Sequence, residues 1–303
     1  MRLKFILTIT LLIVVFSSCK KDPKVVPNND APYYDGVPTV KVENYVNRLF
    51  IDLIGREALN SELSKESSYL KDNHLSIASR ETLIIKLQSD SAYLPGDSSY
   101  RYAYYNRLYE LTKARLLEGA AKSEFLQYKG ENDYQCTLDS TAGDSLSFKL
   151  HKEISNKLVK ALKAQTDFMR DSISINQFYV RLLDNAVYDH INMNSFNFIR
   201  ATFNDLFFRY PTNNEFNSSY NMVDANIPSV LFGKSGQSKS NYLTILTNSS
   251  EYCEGMVRWV YQTFLSRQPT NQELSSVTQS FYNEKKLPTI QRNILKSDEY
   301  ANF

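Results

Sequence analysis

The sequence predicts an all-α protein, a helical repeat or bundle with minor or no β-structure, and three observations carry that prediction. Apolar residues recur at helical spacing along most of the chain. No run alternates at period two over six or more residues, so strands are at most minor. One helix–capped turn–helix pattern appears three times, which is the mark of a repeat architecture.

The first residues bear on location. Arg2 and Lys4 make a short basic region ahead of Phe5 to Phe16, a run of apolar residues and Thr. At 1.5 Å per residue such a run reaches about 18 Å, short of the roughly 30 Å hydrocarbon core, so it reads as a signal peptide over 1–18. Phe16-Ser17-Ser18-Cys19 follows, and here the chain resembles bacterial lipoprotein signal peptides, with Phe16 departing from the usual Leu. The resemblance implies cleavage before Cys19, acylation of that residue (palmitate included) and a membrane anchor. Lys20-Lys21-Asp22 lacks the acidic run of surface-exported lipoproteins, so the periplasmic face of an outer membrane is the expected address. Pro23, Pro27, Pro32 and Pro38, among Asn, Asp and Lys, make residues 19–39 a semi-extended tether.

An N-terminal helical domain is expected over 40–128. Val46, Leu49, Phe50, Leu53 and Ile54 form the stripe of an amphipathic helix. Further helices are expected over 61–70, over 77–87, and from Tyr102 to near Gly119. In that last helix Tyr102, Tyr105 and Tyr109 share one face, which leaves Tyr100 and Tyr104 as an exposed pair and a plausible contact surface for glycan. From Lys129 to Ser147 the pattern dissolves into Gly130, Asn132, Asp133, Ser140, Gly143 and Asp144, predicting a polar loop or small hairpin and a domain boundary. Helical spacing returns for a second domain over 148–303, interrupted by a Gly- and Ser-containing insertion at 228–240.

Aligning Arg56, Arg209 and Arg267 brings the three copies into register. Phe50, Phe203 and Tyr261 then share one offset, Asn60, Asn213 and Asn271 another, and Glu62, Glu215 and Glu273 a third. Thr212-Asn213-Asn214-Glu215 and Thr270-Asn271-Gln272-Glu273 are capping boxes, each Thr accepting from an amide and each Glu reaching back to the Thr amide. Pro211 and Pro269 stop the preceding helix, and Arg209 and Arg267 are expected in its last turn, where a cation suits the dipole. In the first copy the cap is expected from Asn60 or Ser61. Each copy closes on a Tyr, at Tyr93, Tyr252 and Tyr300.

The L-x-R-x-P-T-x-x-E and S-x-E-Y pattern resembles two groups of uncharacterised bacterial helical modules. One is a short repeat of secreted and surface-associated proteins; the other accompanies cytochrome-like domains in large planctomycete proteins. The resemblance implies an envelope-associated helical fold and no particular activity. There is no C-x-x-C-H here, so haem association does not carry over.

Chemistry is sparse. Removing 1–18 lowers Lys+Arg from 35 to 33 against 33 Asp+Glu, so the mature chain is neutral and offers no electrostatic case for nucleic acid. His74, His151 and His190 hold no metal-ligand spacing, and no cofactor or metal is expected. His190, beside Asp189, reads as a solvated helix face. Gly233-Lys234-Ser235-Gly236 imitates a phosphate loop without its leading Gly or strand. Cys136 and Cys253 read as two buried free thiols rather than a bridge. The expected role is a non-catalytic binding or accessory subunit of an envelope assembly, with a protein partner; the alternatives are an enzyme acting on envelope glycan or peptide and a glycan-binding lipoprotein.

Overall fold

The computed structural model describes residues 36–303, and the expected signal peptide, Cys19 and most of the tether lie outside them. The described chain is helical, with one two-stranded hairpin. The first repeat comprises α1 (Thr39–Leu53), α2 (Asn60–Asp72) and α3 (Ile77–Ser89). Five helices link it to the second: α4 (Tyr100–Leu116), α5 (Lys122–Ala142), α6 (Ser145–Leu162), α7 (Ala164–Met169) and α8 (Ile175–Leu183), with the short α9 (Ala186–Asn192) after them. The second repeat is α10 (Ser195–Phe207), α11 (Asn213–Val223), the hairpin β1 (Ser229–Leu231) and β2 (Lys234–Gly236), and α12 (Lys239–Thr247). The third is α13 (Ser250–Leu265), α14 (Asn271–Glu284), α15 (Leu287–Leu295) and α16 (Asp298–Ala301).

The boundary expected at 129–147 is absent: residues 129–142 continue α5, and residues 37–303 form one unit. Polar composition misled because this helix is solvated nearly all round. From Leu126 to Ile154 only Cys136 is buried. The helix is held by its antiparallel partner, with His151 Nδ1 2.7 Å from Asp139 and Ser155 donating to Asp133 at 2.6 Å. The break is confined to Gly143, left-handed at φ 71°, and Asp144, which caps α6 by accepting from the Leu146 and Ser147 amides. The result is a two-helix arm about 30 Å long at 1.5 Å per residue.

The first and last repeats meet. Tyr45 donates to the Leu295 carbonyl at 3.1 Å, Tyr300 donates to Asp52 at 2.7 Å, and Arg80 pairs with Asp298 at 2.7 Å. These joins, each across more than 200 positions, bury both hydrophobic ends of the repeat array, which an open solenoid would expose.

Tyr100 and Tyr104 are buried, at 5% and 1% exposure, and Tyr102 is exposed. The buried stripe of α4 runs Tyr100, Tyr104, Leu108, Thr112 and Leu116, one residue every four. Tyr suits both a wet and a dry face, so the tyrosines could not set the phase; stepping back by four from Leu116 and Leu108 does.

Candidate functional site

The repeated Arg is the hub of an ionic clamp. Helices α10 and α13 end at Phe207 and Leu265, two residues before Arg209 and Arg267, so neither Arg sits in a last turn as expected. Past the helix end each guanidinium turns back over the aromatic of its own copy. The distance to the ring centroid is 5.4 Å for Arg56 over Phe50, 5.3 Å for Arg209 over Phe203 and 5.2 Å for Arg267 over Tyr261. It then grips the capping-box Glu with two nitrogens. Arg209 reaches Glu215 at 2.8 and 2.7 Å, Arg267 reaches Glu273 at 2.9 and 2.7 Å, and Arg56 reaches Glu62 at 2.7 and 2.9 Å.

A second acid completes each clamp from the end of the repeat. Asp97 takes Arg56 at 2.6 Å, Glu251 takes Arg209 and Glu299 takes Arg267 at 2.6 Å. Glu251 and Glu299 were visible as the Glu of S-x-E-Y, but their partner was not. Nothing in one copy says that its end folds back on its own turn. In the first copy the acid comes from Asp97, beyond the expected closing Tyr93, which is 79% exposed. The two Thr caps are present, Thr212 and Thr270 accepting from Glu215 and Glu273. In the first copy the N-cap is Leu59, not Asn60 or Ser61, and only the Glu62 half of the box exists, accepting from the Leu59 amide at 2.8 Å.

Hydrogen bonds from Arg209 and Arg267 hold the carboxyls of Glu215 and Glu273 down at about 2. Arg56, Arg209 and Arg267 each pair with two carboxylates and donate to a backbone carbonyl, and Glu62, Glu215 and Glu273 each accept from a backbone amide, so these groups are committed to the fold. They lash the turn of each repeat to its end.

Two carboxyls are raised, and they stand apart. Asp205 is pushed up to about 6 by burial, against a 2.8 Å hydrogen bond from Tyr188 and the field of Arg115. Asp52 is raised by burial while Tyr300 donates to it. Asp205 is on α10 and Asp52 on α1, each occupied by its own Tyr, so they do not form an acid–base pair.

A cleft of about 810 Å³ lies where α6, α8 and α12 converge. Its lining is mostly amide, hydroxyl and charged: Asn156, Lys157, Lys160, Asn176, Gln177, Arg181, Asp184, Thr244 and Asn248 among others. Lys157 bridges Glu153 and Asp184 at 3.0 and 3.1 Å, and Arg181 pairs with Asp167 at 2.6 Å. Asn176 donates to Asn248 at 2.9 Å and ties α8 to α12. Lys157, Arg181 and Asp184 are thus each held in an ion pair.

His190 is exposed, with its ring 5.6 Å from that of Tyr128. Gly233 and Lys234 belong to the β1–β2 turn and strand, not to a phosphate loop. Among the described residues no His, Cys, Asp and Glu group could hold a metal, and no helix is long and apolar enough to cross a membrane. The arm is the other prominent surface, carrying Leu126, Tyr134, Leu138, Leu146 and Leu150 exposed on its flanks. Comparison with family models, with curated proteins and with solved structures finds no match for this chain.

Proposed function

We propose that the protein is a membrane-anchored lipoprotein, held through Cys19 at the periplasmic face of an outer membrane, and acts without catalysis as a binding or accessory subunit of an envelope assembly. The geometric observation behind this reading is the α5–α6 arm. Two long helices extend from the body with apolar side chains in water, at a cost the fold itself does not require; a protein partner that covers Tyr134, Leu138, Leu146 and Leu150 accounts for it. The Phe16-Ser17-Ser18-Cys19 signal and the Pro-rich stretch supply the anchor and the reach.

Two measurements test the halves separately. Radiolabelled palmitate should enter the wild-type chain and not Cys19→Ser, and only the wild type should stay with the membrane fraction; equal labelling refutes the anchor. A photo-crosslinking residue at Tyr134 or Leu150 should give a discrete heteromeric adduct in cells, and one at Tyr282 should not. Recovery of the protein alone from both arm positions refutes the partner.

A further inference from the structure

Three copies of one unit in one chain provide an internal control, because a feature the fold needs should recur in each. An exposed aromatic surface on the second copy does not. Phe196 and Arg200 lie on α10, Phe216 and Tyr220 on α11, and Tyr210 in the turn between them. Phe196, Tyr210 and Tyr220 are 51%, 58% and 40% exposed. In the register set by Arg56, Arg209 and Arg267, the first copy has Glu43, Glu57 and Ser67 there, and the third has Glu254, Gln268 and Thr278. The unit therefore folds twice without these rings.

The rings make one continuous surface. Phe216 and Tyr220 stack at 24° with centroids 6.1 Å apart, and Phe196 meets Phe216 at 5.2 Å. The Arg200 guanidinium lies over Tyr210 at 4.2 Å and over Phe196 at 5.4 Å. Its ion pairs are none: no carboxylate among the described residues lies within salt-bridge distance of it. Stacking holds the group flat and leaves its N–H edge without a protein acceptor. Asp224 stands at the far end, accepting from Ser195 at 2.7 Å and from Tyr220.

We propose that this face binds a saccharide chain. The polar groups around the rings select that occupant. From Met193 to Phe232 the chain has no Lys and is rich in Asn, with Asn213, Asn214 and Asn217 exposed beside Phe216 and Tyr220. A sugar ring offers apolar C–H faces to aromatic rings and hydroxyls at its edge. Those hydroxyls donate to the Asn carbonyls and Asp224 and accept from the Asn amides and Arg200. Phe216 and Tyr220, stacked one helical turn apart beside Phe196, give a run of apolar ring surface long enough to meet successive sugar units.

The test uses the full chain with Cys19→Ser and three tetrasaccharides: β-1,4-linked N-acetylglucosamine, β-1,4-linked glucose and a galacturonate oligomer. Calorimetric titration should detect binding of at least one. Phe196→Ser and Tyr220→Ser should each weaken it about tenfold, as removal of a stacking ring does. Both should leave the melting temperature nearly unchanged, because the rings are half exposed. Arg200→Gln should weaken the acidic oligomer more than the neutral ones. Absence of binding to all three at millimolar concentration overturns the proposal, as do variants that bind like wild type. Variants that keep sugar affinity but lose a crosslinked envelope protein would reassign the face to a protein partner.

Discussion

Gly255 passes directly beneath the carbonyl oxygen of Leu206: a Cβ built on Gly255 would stand 1.9 Å from it. This is where α13 crosses α10, the joint between the second and third repeats. The obstacle is backbone, so no side-chain rotation relieves it. A Gly inside a helix ordinarily costs about 1 kcal/mol relative to Ala, so local propensity expects Gly255→Ala to stabilise. The crossing reverses the sign, and the substitution should destabilise by about 2–3 kcal/mol as an overpacked contact. Urea unfolding reads the difference directly, and a raised midpoint would mean that the helices do not cross at this point.

The clamps should rank by the number of bonds each substitution removes. Thr270→Ala removes one cap and should cost about 1 kcal/mol. Arg209→Ala frees both Glu215 and Glu251 and should cost about 2 kcal/mol, the range for hydrogen bonds to charged groups. Arg209→Lys should recover little of it, because an ammonium cannot match two carboxylates with a planar fork. Thermal melts of the three variants at one ionic strength settle the order; Arg209→Lys equal to wild type would show that only the charge matters.

Stability should peak in mildly acidic solution, and two sets of carboxyls set the limbs. Glu215 and Glu273 are lowered from 4.5 to about 2, so their contribution is complete above 4.5 and is lost as pH falls toward 2. Asp205 runs the other way, raised by burial from 3.8 to about 6. Between those values the folded protein keeps a proton that the unfolded chain has released, so stability falls as pH rises through the window. Asp52, also raised by burial, adds to this limb, so Asp205→Asn should make it shallower and raise the melting temperature at about pH 7, while leaving the curve below about pH 4 unchanged. A melting temperature independent of pH between 4 and 6 in the wild type would remove Asp205 from this role.

Local chemistry was the legible part of this chain. A Thr followed three residues later by Glu states its own structure, and Thr212 and Thr270 are caps as the spacing says. The Glu251 and Glu299 roles were half legible: their types and positions recur, but the contact with Arg209 and Arg267 closes over more than thirty residues and has no local trace. Tyr100 and Tyr104 were misplaced because Tyr belongs on either side of a helix, whereas Leu108 and Leu116 do not. Residues 129–142 read as a loop because they lack an apolar face, and a helix with one partner needs only a narrow one. The aromatic surface of the second repeat was hidden for a different reason. Phe and Tyr at helical spacing look like core until the other copies show polar residues in place of Phe196, Tyr210 and Tyr220.

Cys136 and Cys253 are both free and buried, and they should report on two different openings. Cys253 lies in the body on α13, where burial pushes its thiol pKa up while the Lys285 ammonium at 3.2 Å draws it down. Cys136 lies between the two helices of the arm, its thiol facing the Phe148 carbonyl at 3.8 Å. Among the described residues α6 is the main cover of α5, so the arm can part without unfolding the repeats, and local opening is cheaper than global unfolding. In the Cys19→Ser chain a thiol reagent should therefore modify Cys136 first, at a rate nearly independent of low urea. Cys253 should react only along the global transition. Phe148→Ala should accelerate Cys136 and leave Cys253 unchanged. Simultaneous modification of both thiols, at one urea-dependent rate, would show that arm and body unfold as a single cooperative unit.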